Sequence, residues 1–475
     1  MLGLFGTLNL ATRSLATQRA GTEVSGHNLA NVSNPAYSRQ RVRIEAAVTM
    51  ISNLGPQGTG ADGVAIERLR NLLLDGQLVS ESSVMGSLTA QQRAFEYAQA
   101  NLGQRLDRQA SGTEGAAAAS GVGGAQGLAE NLTSLFAAFQ GLSTNPTSLT
   151  DRQAVMIKAQ DLSNQFNQVS SRLSDVHDLL NASIRSEVEQ ANGLIADIAS
   201  INGQILTLEA GGGMANDLRD ARQARLEELG KLTSVSAVES SSGALEISVG
   251  GVAMISGGKV IERLEAYDPG SGNLMLRSES TGTALSLAGG SLQGTIDARD
   301  GEVAVLRSQL DTLASELISR VNTVHSTGYG LGGTTGESIF GGSDASTISV
   351  NQLLLDQPDR VQASGISGQV GNNDVAIALA RLGDEPQAGL GGQTFSQAYN
   401  QSVARLGSAL SAVNSQIDNE TVVTEMLSRQ RDSVSGVSLD EEMTDLIRFQ
   451  RAFQASARLV TTVDDMLEIV VSMKR

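Results

Sequence analysis

The side chains that could do chemistry are few and badly spaced for it. Three histidines are present, His27, His177 and His325, and no two stand at metal-ligand spacing, so each reads as a helix-surface or loop residue. Gly328, Gly330 and Gly333 satisfy a lone GxGxxG, but a helix precedes them and none opens behind them, which reverses the dinucleotide-binding context and leaves a flexible loop. The run AMISGGKV resembles the end of a phosphate-binding loop, except that Ala253 stands at the first glycine and Val260 at the metal-binding hydroxyl. The acids of DARDG (297–301) have the wrong spacing for a calcium loop. Glu441-Glu442 and Asp464-Asp465 are adjacent on helices and do not face one another, so they read as solvated faces or cap charges. No carboxylate pair suits attack on a glycan such as peptidoglycan. The expectation is a protein without catalytic, cofactor or metal residues. What remains is Arg39, Arg41 and Arg43, alternating on one side of an extended arm, expected to pair with carboxylates of a neighbouring domain or subunit, and Tyr37, expected as a packing anchor.

Bulk composition narrows the class further. The 51 acidic and 34 basic residues among 475 leave a net charge of −17, which repels polyphosphate and anionic membranes, so neither nucleic acid nor membrane is expected as a partner. No stretch approaches the ~20 apolar residues of a membrane span, and the opening MLGLFGTLNLATR lacks the features of a cleaved secretory signal. Cysteine is absent, which removes thiol chemistry and disulfide scaffolds together.

The elements that would carry these residues are mostly helical. Leu4, Leu8, Ala11, Leu15, Gln18, Thr22, Ser25, Leu29 and Val32 recur at three and four, giving one helix face that is apolar at both ends and slim in the middle. Asn34-Pro35 ends that helix, and from Ser38 the period becomes two, an exposed strand or arm. Residues 67–109 read as helix and 111–127 as a Gly/Ala-rich break. A capping box at Thr150 to Gln153 then opens a heptad seam of Leu162, Phe166, Val169, Leu173, Val176, Leu180, Ile184, Val188, Ala191, Ile195, Ile198, Ile201, Ile205 and Leu208, with one extra step of four near Ile184. At ~1.5 Å per residue it implies a helix of about 80 Å. Gly211 to Gly213 stop it, and another helix starts near Asn216. Short alternating pieces over 233–290 read as a small β domain, and helices return at 292–324, 374–382 and 394–431.

Near the C-terminus Ser438 and Glu441 fit a second capping box, with Lys474 and Arg475 at the opposite helix end. Leu439, Met443, Leu446, Gln450, Phe453, Ala457, Val460, Asp464, Leu467 and Val471 form a coiled-coil seam behind it. The fold class is therefore mainly α with an inserted small β domain, and long coiled-coil helices formed by paired N- and C-terminal segments in a nested, multi-domain arrangement. The expected units are 1–60 with 436–475, a terminal coiled coil with its elbow; 61–232 with 292–435, a long-helix bundle; and 233–291, the β-rich outer insert. The two terminal stripes carry too little apolar surface to offset the entropy of ordering both helices alone. Neighbouring copies should complete their burial, which makes Leu4, Leu8, Leu15, Leu29, Leu439, Met443, Leu446, Phe453, Val460 and Leu467 assembly candidates, with Asn31, Pro35, Tyr37 and Arg39 shaping the elbow.

The elbow carries a resemblance. NLANVSNPAYSRQ resembles the N-terminal signature of bacterial flagellar rod, hook and hook-associated proteins, usually N-x-A-N-x-x-T-P-G-Y; Asn28, Ala30, Asn31, Pro35 and Tyr37 match, while Asn34 and Ala36 stand for the threonine and glycine. Residues 216–229, 290–300, 313–340 and 435–467 are similar to middle and C-terminal segments of the hook-associated branch. That resemblance implies an extracellular structural protein at the junction of hook and filament, in a closed ring of about eleven copies. It also implies unfolded export through the flagellar type III apparatus without cleavage, and a dedicated chaperone on the C-terminal helix at Leu446, Phe453, Val460 and Leu467. The hook protein and a second junction protein, hook-associated protein 3, are the implied neighbours. The competing readings are another axial protein, hook or rod, and a secreted adhesin-like binding protein using the β insert.

Overall fold

The computed structural model describes residues 3–52, 55–102 and 127–473. Helix α1 (Leu4–Ala30) leads into an antiparallel ribbon of β1 (Gln40–Ala46) and β4 (Ala61–Arg68), which encloses a smaller one of β2 (Met50–Ser52) and β3 (Gly55–Gln57). Helices α2 (Leu72–Asn101), α3 (Leu128–Thr144), α4 (Leu149–Glu209) and α5 (Asn216–Leu232) follow. Strands β5 (Val235–Glu239), β6 (Leu245–Val249), β7 (Val252–Ser256) and β8 (Lys259–Val260) form an antiparallel meander beside a ribbon of β9 (Leu264–Tyr267) and β10 (Met275–Ser278). The chain returns through α6 (Gly290–Ala298) and α7 (Ala304–His325) and makes a small ribbon of β11 (Phe340–Gly341) and β12 (Ser349–Val350). It ends in α8 (Gln352–Asp356), α9 (Asp374–Arg381), α10 (Phe395–Ser435) and α11 (Leu439–Ser472). The protein is mainly α with a small inserted β domain.

Helix α4 organises the body. Its heptad seam is buried at every expected position except Ile201 and Leu208, and its 61 residues span about 90 Å. The extra step of four has a structural meaning. Up to Leu180 the stripe faces a core shared with Phe139, Leu317, Leu379 and Leu406, and from Ile184 it faces a second core beneath Ile247, Ile255, Leu264 and Leu276 of the β domain. A four-four step turns the stripe relative to the heptad line, and here it hands the helix from one partner to the next.

Three asparagines about three turns apart fasten the β domain to α4. Asn192 donates to the Leu264 carbonyl (2.8 Å) and accepts its N–H (2.9 Å), and Asn202 treats Leu245 the same way (2.7 and 3.1 Å). Asn181 accepts from Leu274 N–H (3.2 Å) and donates to the Gly272 carbonyl (2.9 Å). Each amide supplies backbone groups that would otherwise lack partners. Asn192→Ala is expected to cost about 1–3 kcal/mol through the two groups it orphans, seen as faster amide exchange at Leu264 with α4 unchanged.

Several local expectations are corrected. The cap of α4 is Ser148, not Thr150: a turn closed by Ser148 N–H on Asn145 O (3.0 Å) leaves the Ser148 hydroxyl to accept from Asp151 N–H (3.2 Å). Helix α2 starts at Leu72 rather than 67, because 61–68 is taken up in pairing with β1, and Asn71 caps it by accepting from Leu73 N–H (3.0 Å). The helix expected over 292–324 is kinked at Gly301 (φ −91°, ψ −108°), inside a wide turn of Arg299–Val303. Buried Arg299 holds that kink, donating to Asn181 Oδ1 (2.7 Å) and the Leu274 carbonyl (2.8 Å). The glycine loop after α7 is pinned by Tyr329 N–H to Ser364 O and Leu331 N–H to Asp359 O, both 2.8 Å.

His325 is not a surface or loop residue: it is fully buried, with Nδ1 donating to Glu337 O (2.7 Å) and Nε2 accepting from Gln362 N–H (2.8 Å). Those partners fix the neutral ring, and burial pushes its pKa down to about 4. His177 bonds Asn273 of the β insert at 2.8 Å. The Gly/Ala-rich break, apart from Gly127, lies outside the described residues, as do Lys474 and Arg475.

Candidate assembly site at the elbow and terminal helix pair

The elbow is a dense network of polar groups. Asn31, just past α1, caps it with Nδ2 on His27 O (3.0 Å). The Asn34 side chain accepts from Ala36 N–H (3.1 Å), while Tyr37 N–H returns to Asn34 O (3.1 Å). This asparagine turn needs no left-handed residue, and among the described residues only glycines have positive φ, so Ala36 is accommodated. Pro35 lies exposed at the bend.

Asn28 is the centre. Its Oδ1 accepts from the Tyr37 hydroxyl (2.7 Å) and Gln40 N–H (2.9 Å), and its Nδ2 donates to Gln40 O (2.8 Å) and Glu442 Oε2 (3.0 Å). Tyr37 is thus a hydrogen-bonded anchor; burial first, then the carboxylates of Asp217, Asp220 and Glu442, push its pKa upward, which keeps the hydroxyl protonated to donate. His27 sits beside it, Nδ1 3.0 Å from the same hydroxyl.

Arg39 locks the first turn of α11. Its Nε donates to Glu442 (2.7 Å), its Nη1 to Glu441 (2.6 Å), and its N–H to Ser435 O (2.8 Å). The arm meets acids within this chain, Arg39 those of α11 and Arg43 bonding Glu67 at 2.7 Å within the ribbon. Glu442, among the acids in the first turn of α11, is not solvated: its side chain is 2% exposed. With Glu441 drawn to Arg39, the capping box at Ser438 does not close and Ser438 makes no side-chain cap bond. A second knot roots the elbow in the body: Asp220 of α5 accepts from Ser38 N–H (2.8 Å), Ser38 Oγ (2.7 Å) and Arg68 (2.9 Å). Arg70 adds bonds to Ser38 Oγ (2.9 Å) and Asp75 (2.8 Å).

Beyond the knot α1 and α11 run antiparallel, in a register that steps by seven along both. Asn28 meets Glu442, Gly21 meets Phe449 and Ser14 meets Ser456 (2.9 Å); a further step reaches buried Val463. Seven-residue steps are coiled-coil geometry, but this seam runs through Glu442, Phe449, Ser456 and Val463, out of phase with the one counted from Leu439. The difference lies in α1, whose buried face is Ala11, Thr17, Gly21, Val24, Ser25 and Asn28, too slim to cover a leucine seam. Leu4, Leu8, Leu15, Leu29, Leu446, Val460 and Leu467 are half-buried at its margins, whereas Leu439 (52%), Met443 (47%), Phe453 (40%) and Val471 (71%) stay exposed. Sequence reasoning missed Gly21, Asn28, Asp220, Glu442 and Phe449 as contributors; the legible signal was Ser14, Gly21 and Asn28 at intervals of seven. A β-carbon on Gly21 would lie 2.6 Å from the Phe449 ring. Gly21→Val is therefore expected to splay the pair at a cost of about 1–3 kcal/mol, read as lost amide protection over residues 445–456.

Among the described residues no group of His, Asp and Glu could hold a metal ion, and no helix is long and apolar enough to cross a membrane. Comparison with known proteins gives this arrangement its context. The family described as "Flagellar hook-associated protein FlgK helical domain" matches residues 121–340, and "Flagellar basal body rod FlgEFG protein C-terminal" matches 428–473. Flagellar hook-associated protein 1 of Bacillus subtilis is 28% identical over 99% of each chain, and that of Escherichia coli 23% identical over 98% of this chain and 99% of its own. The chain is similar over nearly its full length to flagellar hook-associated proteins. The flagellar hook junction protein FlgK from Burkholderia pseudomallei shares the fold, with a TM-score of 0.62 and 16% identity over 76% of this chain and all of that one. Alike over nearly its whole length to these hook-associated proteins, the protein is a structural component of the flagellum and not an enzyme.

Proposed function

We propose that this chain is the axial subunit joining hook to filament, outside the cell, and that copies gather there through the α1–α11 pair. The observation that carries this is the mismatch within the pair: one narrow seam is filled inside the chain, while Leu439, Met443, Phe453, Val471 and, on α1, Phe5 (76%) stay uncovered. Copies that cover those faces bury them without refolding anything else. The elbow sets the angle at which each pair leaves its body, so identical elbows give identical neighbour contacts, the requirement for a closed tier of about eleven copies.

The hook protein on one side and a second junction protein, hook-associated protein 3, on the other complete the contacts of that tier. Before assembly α11, at Leu446, Phe453, Val460 and Leu467, is the helix a dedicated export chaperone shields, and the chain passes the flagellar type III apparatus unfolded and uncleaved. Deleting residues 439–475 tests the reading: filament attachment and chaperone binding should be lost together. A deletion that leaves both intact overturns it.

A further inference from the structure

The exposed apolar residues of α11 are not spread evenly about its seam. Three before, one after and five after the seam position Glu442 are Leu439 (52%), Met443 (47%) and Ile447 (45%); at about 100° per residue these all fall on one flank. Three after Ser456, and three and six after Val463, are Leu459 (37%), Met466 (47%) and Ile469 (58%), which fall on the opposite flank. One helix thus carries two apolar trios on opposite flanks, the first flank continued by Phe453 (40%) and Val471 (71%).

Charge decides how such helices can lie side by side. In register, the first trio would face Glu441 and Arg448 on the neighbour's second flank, side chains 62% and 67% exposed. The neighbour's second trio would likewise face Asp464 and Glu468 on the first flank, both exposed. Both trios would then be packed largely against charged groups, including the surface ion pairs of Glu441 with Arg39 and Arg448 with Asp445, at a desolvation cost. A shift that brings Met443 level with Met466, about 35 Å along the axis, removes both conflicts and sets apolar trio on apolar trio.

We infer that neighbouring copies pack in parallel with an axial stagger, the Leu439–Met443–Ile447 flank of one copy seated on the Leu459–Met466–Ile469 flank of the next. The inference rests on the assembly reading above and gives it a geometry. The contact is heterologous, with different surfaces on the two partners, so it propagates in one direction.

The chain has no cysteine, which allows a direct test. Two differently tagged full-length chains, Met443→Cys and Met466→Cys, are produced together in cells lacking their own copy, and isolated flagella are air-oxidised with copper-phenanthroline. Both positions are exposed, so folding is undisturbed. The expected result is a mixed 443–466 cross-link at least tenfold above the 443–443 and 466–466 products. Flagella that contain both chains but yield mainly same-site products, or none, overturn the stagger and leave the functional reading standing. Absence of both chains from the flagella overturns that reading, and the stagger with it.

Discussion

Replacing Arg39 with leucine is expected to cost about 3–5 kcal/mol in the docking of α11 against the elbow, because it strands a buried carboxylate. Glu442 is 2% exposed and its oxygens are held by Arg39 (2.7 Å) and Asn28 (3.0 Å). Without Arg39 one oxygen keeps only a neutral amide. The effect should be asymmetric. Glu442→Leu leaves Arg39 with Glu441 at 2.6 Å and Asp445 at 3.7 Å, so the guanidinium stays paired and the loss is smaller. The double variant Arg39→Leu with Glu442→Leu should recover most of the single loss, since a buried pair exchanged for apolar packing is often neutral. Amide exchange over residues 439–449 reads all three; an Arg39→Leu chain with native protection there would show that the pair does not hold the joint.

The second large effect is a pH dependence from His325. Its pKa in the folded chain is about 4, below the ~6.5 of a free imidazole, so between these values the unfolded chain binds a proton that the folded chain refuses. Stability from this group is complete above pH 6.5 and is lost as pH falls toward 4, to a total of about 3 kcal/mol. Glu420 acts oppositely: burial, then its neighbour Glu81, raises its pKa to about 7, so its contribution falls as pH rises. The difference between wild type and His325→Gln cancels Glu420 and isolates the histidine. Urea unfolding of both chains at pH 4.5, 5.5 and 6.5 should show the gap between them changing across the window; a constant gap contradicts the buried neutral ring.

The parts of the molecule legible in its sequence are those where burial is intramolecular and repetitive. Along α4, Leu162 to Ile198 announced the buried face without error because core from within the chain covers that side throughout, and even the step at Ile184 carried information, the change of partner from the helical core to the β-domain core. Capping positions slipped where a hydroxyl competed with a neighbour, Ser148 prevailing over Thr150 because a preceding turn presents it. The terminal helices failed differently. Counting apolar residues from Leu439 follows one apolar stripe of α11, whichever molecule will cover it, whereas the partner inside the chain is slim and selects Glu442, Phe449, Ser456 and Val463 instead. Glu442 looked like a solvated charge because nothing near it in sequence reveals Asn28 and Arg39, some four hundred residues away.

The polar knot also refines what a solitary chain should look like. At the elbow end the pair is pinned by Asn28, Arg39 and Glu442; at the free end it rests on little more than Val463 and the half-buried Val460 and Leu467. Amide exchange of α1 and α11, measured on the dilute chain and again on isolated flagella, tests most directly whether copies complete the burial. Protection should be present near residues 24–30 and 439–449 in the dilute chain, fade toward 4–12 and 460–472, and become strong throughout in the flagellum. Uniform strong protection in the dilute chain, unchanged on assembly, would contradict it.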